Sequence, residues 1–133
     1  MPKRLMGFSV NLVAFAFALS LSCSANAQDN KLAAFMKGKL DHSQKILEGL
    51  AREDFDLIAK HSQAISLLCD DELWSVLQTP EYLERSREFR RNIYEITEAA
   101  RKKNLDEAAF AYVESSMKCV SCHKYVRRTR ERP

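Results

Sequence analysis

Between residues 28 and 132 the chain holds two glycines, Gly38 and Gly49, and one proline, Pro80. A chain so poor in turn formers cannot close the many tight connections of a sandwich or barrel of short strands. What it can build is a few long elements joined by a few corners. Its apolar residues recur at three- and four-residue intervals and show no strand-like alternation, which is the helical pattern. With 46% hydrophobic and 29% charged residues over 133 positions, the balance is that of one soluble globular domain rather than a disordered chain. The net charge of +3 is too small to indicate nucleic-acid binding.

The spacing predicts four helices. The first starts after Asp29 or Asn30 as N-cap and carries Leu32, Phe35, Met36, Leu40, Leu47 and Leu50 on its apolar stripe, with Gly49 near its end. The second starts at Asp54 and carries Phe55, Ile58, Ile65 and Leu68, and a polar connector with Trp74 follows Cys69. Thr79-Pro80-Glu81 is a strong start signal for the third, combining a capping hydroxyl, a proline at the first helical position and an acid in the first turn. Phe89, Ile93, Ile96 and Ala100 form its stripe, and Arg101, Lys102 and Lys103 suit the negative end of its dipole. Asn104 ends the third helix and caps the fourth, which runs from Leu105 towards Val120. Short corners make neighbours antiparallel, so the expected fold is all-α, an up-down-up-down four-helix bundle. Phe55, Trp74, Phe89 and Phe110 are expected in its core, and Cys69 as a small buried side chain.

The N-terminus has the form of an address. Lys3 and Arg4 precede an apolar run from Phe8 to Leu21, and Ala25-Asn26-Ala27 fits the small-x-small rule for cleavage. The run is shorter than the ~20 residues of a spanning helix. The expectation is a cleaved signal peptide over residues 1–27, a mature domain over residues 28–133, and a periplasmic or otherwise exported location. Cys23 leaves with the signal. Loss of Lys3 and Arg4 lowers the net charge from +3 to about +1. Cys69, Cys119 and Cys122 remain, an odd number that fits a purely disulfide framework poorly.

Cys119-Val120-Ser121-Cys122-His123 is C-x-x-C-H, the attachment signature of c-type haem. Residues three apart share a helix face, so both thiols can reach one porphyrin, and His123 follows as the iron ligand. A thioredoxin-like pair would need a preceding strand and a βαβ setting, which the chain lacks. A zinc site would need a fourth ligand, and adjacent Cys122 and His123 suit one tetrahedron badly. A disulfide between Cys119 and Cys122 would be strained within a helix.

In these features the chain resembles the class II cytochromes c. The motif lies in the last helix of a short exported chain, and Leu105-Asp106 opens that helix at the distance such proteins show. Arg127, four residues after His123, matches the basic residue the family carries near its proximal histidine. Val126 departs from the pattern, which commonly has an aromatic residue there. The resemblance implies a four-helix bundle with one covalent haem c on the last helix, and coverage of the opposite haem face by the first helix. Low-spin members supply a methionine from that helix, and Met36 stands in its place; five-coordinate members put an apolar side chain there. The family's usual arginine upstream of that position is absent. Met36 is therefore either the sixth ligand or a flexible core residue. His42 and His61, among polar neighbours, read as solvated helix positions.

Lys118, Lys124, Arg127, Arg128, Arg130 and Arg132 crowd the end of the chain. They are either a solvated face or a docking patch for an acidic redox partner in the periplasm or its membrane. No acid–base constellation is evident, so the expected function is electron transfer by a mono-haem carrier and not enzymatic conversion. Capture of nitric oxide or carbon monoxide at a five-coordinate iron is the alternative, and a structural zinc or disulfide bundle a distant third. Association of two chains is left open.

Overall fold

The computed structural model describes the backbone of residues 8–72 and 77–131, with side chains over residues 30–71 and 77–131. Among the described residues four helices follow in order: α1 (Phe8–Arg52), α2 (Phe55–Glu72), α3 (Pro80–Arg101) and α4 (Leu105–Arg130). Together they form an all-α four-helix bundle, with no strand among the described residues. The chain divides into two compact units, Met1–Ala34 and Phe35–Pro133, and the core belongs to the second.

In the first unit the backbone is helical from Phe8, so Asp29 and Asn30 lie inside a helix and cap nothing. No proline or glycine stands between Phe8 and Ala34, and nothing in that stretch obliges a helix to stop. Lys3, Arg4 and the side chains around the expected cleavage site, Cys23 included, lie outside the described residues, as does Trp74. Among the described residues no helix is long and apolar enough to cross a membrane.

The second unit is shaped by two corners of one design. After α1, the Asp54 amide donates to the Gly49 carbonyl at 2.9 Å and the Glu53 amide to that of Leu50 at 3.3 Å. After α3, the Asn104 amide donates to the Ala99 carbonyl at 2.9 Å and the Lys103 amide to that of Ala100 at 3.0 Å. Both are Schellman closures, in which one left-handed residue satisfies the last carbonyls of a helix. Glu53 (φ 55°) and Lys103 (φ 54°) occupy that position, where glycine is usual. The next residue then caps the following helix: the Leu57 amide donates to the Asp54 carboxylate at 2.9 Å, and the Glu107 amide to the Asn104 side chain at 3.1 Å. Gly49 therefore serves space rather than a turn. A β-carbon there would stand 2.7 Å from Ile58 Cγ1 and 3.2 Å from the Asp54 carbonyl oxygen.

Ile46, Ile58, Ile65, Cys69, Phe89, Ile93, Ile96, Ala100 and Ala111 form the buried core. Cys69 is fully buried, as a small hydrophobe would be. One polar pair crosses it, the Ser62 and Thr97 hydroxyls 2.7 Å apart between α2 and α3, with Thr97 also donating to the Ile93 carbonyl. Three expectations need correction. On α1 the buried hydrophobic side chain among the described residues is Ile46, while Leu40 and Leu47 are exposed. Phe110 is 67% exposed instead of in the core. α4 continues past Val120 to Arg130, because the segment after the cysteines holds no breaker and ends in cations that favour a helix C-terminus.

Candidate cofactor site

Ala108, Ala111 and Ser115 form the buried line of α4, and Cys119 and Cys122 continue it at four- and three-residue steps. The two cysteines consequently border a cleft between α1, α3 and α4, with His123 at its rim. Met36 and Lys39 line the cleft from α1, and Arg85, Ser86 and Phe89 from α3. The residues singled out in the sequence for cofactor binding, Cys119, Cys122, His123 and Met36, are thus brought to one place. Cys119 and His123 are exposed and Cys122 and Met36 half-buried, and none of the described cysteines is in a disulfide.

The cleft combines a nonpolar wall with cations. Lys39 Nζ stands 4.9 Å from the centre of the Phe89 ring and 5.1 Å from that of Phe35, held by the negative faces of both rings. Lys118 Nζ pairs with Glu88 at 2.8 Å, and this contact holds the Glu88 carboxyl below the usual carboxylate range. Arg85 pairs with Glu81 at 2.7 Å and also hydrogen-bonds Ser121, inside the motif itself. The Glu81 hydrogen bond raises the Arg85 pKa further above its ordinary value, so the guanidinium is always charged. Ser86 Oγ is buried at the cleft and finds no hydrogen-bond partner among the described residues.

This donor set fits a haem. Two thiols on one face, an adjoining imidazole, a thioether across the cleft and an apolar ring wall suit a flat macrocycle, and three cations suit its carboxylates. In this side-chain arrangement the cleft measures about 50 Å³, with Lys39, Arg85 and Lys118 among the side chains that narrow it. Among the described residues no three His, Cys, Asp or Glu side chains converge as a metal-binding group.

Other candidates lie elsewhere. Arg127 is exposed one turn beyond His123 and does not line the cleft. His42 and His61 are not solvated separately: their Nδ1 atoms are 2.8 Å apart and their ring centres 5.1 Å apart, joining α1 to α2 away from the cleft. Lys118 belongs to the cleft rather than to an outward patch, while Lys124, Arg127, Arg128 and Arg130 remain exposed and Arg132 lies outside the described residues.

Sequence reasoning missed what holds the motif in position. The Tyr125 hydroxyl is 2.8 Å from Thr79 Oγ1, and the Arg85 guanidinium lies 5.3 Å from the Tyr125 ring centre. The α3 start signal at Thr79 was legible, but its second bond, to a residue 46 positions away, has no local signature. Comparison with known protein families, with curated proteins and with solved structures finds no match.

Proposed function

We propose that this chain is an exported, periplasmic electron-transfer protein, a mono-haem c-type cytochrome of the class II kind, and not an enzyme. One observation carries the reading: Cys119, Cys122 and His123 border the same cleft as Met36, although Met36 and Cys119 are 83 positions apart. In this reading Cys119 and Cys122 would hold a haem through thioether bonds, and His123 and Met36 would be the side chains that bind its iron. The bound haem supplies one-electron redox chemistry. Phe89 would shield its apolar surface from water, Lys39, Arg85 and Lys118 would offer positive charge to its carboxylates, and Arg127 would add positive charge near His123. Burial and the cationic surroundings then set the potential. The exposed Lys124, Arg127, Arg128 and Arg130 would face an acidic redox partner.

The chain expressed in a host that matures c-type cytochromes is the test. Pigment should stay with the protein after acid–acetone extraction, and Cys119→Ser with Cys122→Ser should release it; pigment lost from the unaltered protein would overturn covalent attachment. Met36→Leu nearly conserves volume and removes the sulfur. It should turn a low-spin reduced spectrum high-spin and admit carbon monoxide. Identical spectra and carbon monoxide affinity would remove Met36 as ligand and favour the gas-binding alternative.

A further inference from the structure

Helix α4 is built inside out. Its buried line is small (Ala108, Ala111, Ser115), while large apolar side chains face outward: Phe110 is 67% exposed, Val113 60%, Met117 63% and Val120 49%. A contiguous apolar stripe of this kind differs from the scattered exposed leucines of an ordinary surface.

The stripe has a register. Asp106, Phe110, Val113, Met117, Val120 and Lys124 follow one another at steps of four, three, four, three and four, the seam of a coiled coil. All six are exposed. The pattern reads the same from both ends except in charge, with a carboxylate at one end and an ammonium at the other. Neither Asp106 nor Lys124 makes an ion pair among the described residues. The side chains flanking the seam include the small Ala109, Ser116 and Ser121, which allow a second helix to approach closely. The seam spans about 27 Å along the helix. It lies away from the buried line that Cys119 and Cys122 continue, so covering it leaves the cleft open.

We propose that α4 docks against α4 of a second copy of this chain, antiparallel about a two-fold axis. In that register Val113 meets the Met117 position of the other copy, Phe110 meets Val120, and Asp106 meets Lys124. Each pairing occurs twice by symmetry, and both charge pairs are opposite in sign. A parallel partner would set Asp106 on Asp106 and Lys124 on Lys124, so the charges select the antiparallel arrangement. A membrane surface would instead favour cations along the polar margins, and here an acid closes one end. One helix per partner is a small interface, and it belongs with the weak, reversible class.

Sedimentation equilibrium over a concentration series of the purified holoprotein tests this, and mass is read independently of any pigment. A reversible monomer–dimer equilibrium is expected in the micromolar range, about. Asp106→Lys should weaken it by about tenfold, since it sets two lysines against each other twice. Asp106→Lys combined with Lys124→Asp should restore it. Val113→Asp should give a monomer with unchanged helix content by circular dichroism, because the side chain is exposed in the single chain. Four results would overturn the proposal: a monomer at every concentration, a dimer indifferent to Val113→Asp, a charge swap without rescue, or a monomer that binds anionic lipid vesicles through this stripe.

Discussion

Glu53 and Lys103 hold left-handed backbone that costs an ordinary residue roughly 1–2 kcal/mol and a glycine nothing. Glycine also gains freedom in the unfolded chain, which offsets part of that relief. Glu53→Gly and Lys103→Gly are therefore expected to stabilise by up to about 1 kcal/mol each in urea denaturation. Gly49→Ala is expected to act in the opposite sense. Its β-carbon would press on Ile58 and the Asp54 carbonyl, an overpacking that costs about 1–3 kcal/mol. A stabilised Gly49→Ala would show that the corner opens without strain. These positions also explain what the sequence hid. Thr79 and Asn104 were readable as caps, and Asp54 as a helix start, because their side chains do the capping. The left-handed residues were not, since nothing about a glutamate or a lysine announces φ above zero, and the visible glycine was there for room.

At the scale of elements, all four helices were legible from periodicity, but not all their faces. α1 offers apolar residues on more than one side, and only its place against the core decides that Ile46 is covered while Leu40 and Leu47 are not. α4 is the harder case, because its larger side chains point away from the bundle. The histidine pair shows the same limit: His42 and His61 each have polar neighbours in sequence, yet they meet across α1 and α2. Burial, then the charge of His42, then Lys60 and Lys45 push the His61 pKa down, against a smaller opposing pull from Glu48. The fold thus favours neutral His61. Its contribution is fully present above the ordinary value of 6.5 and is lost as pH falls through the lowered one. Thermal midpoints should accordingly fall as the solution is acidified from neutral to about pH 5, and His61→Gln should flatten that slope. An identical slope in the variant would assign the acid sensitivity to other groups.

For the whole molecule, the sequence supplied the motif and the structure supplied its surroundings. C-x-x-C-H marks three residues of the cleft by spacing alone, and Met36 was one of two readings. Lys39, Arg85, Ser86 and Phe89 carry no such mark, because they reach the cleft from α1 and α3, helices distant in sequence from the motif. Replacing the N-cap hydroxyl in Thr79→Ala should cost about 1 kcal/mol through the cap alone. It also removes the partner of Tyr125, so the loss should exceed that of Tyr125→Phe, which leaves the cap intact.

The hydroxyl of Thr79 serves two helices at once, accepting from the Tyr82 amide at the start of α3 and meeting Tyr125 near the end of α4. Helix ends ordinarily fray independently, each with its own opening free energy. Here the two ends share one latch, so their openings are linked. Amide hydrogen exchange should report it: Tyr125→Phe should speed exchange at Tyr82 and Leu83, more than 40 residues away in the chain, as well as in the last turns of α4. Acceleration confined to α4 would mean that the two ends breathe separately. A single phenolic oxygen is thereby expected to govern how often the segment bearing Cys119 and Cys122 loosens from the bundle, and so how long its thiols stand open to reagents in solution.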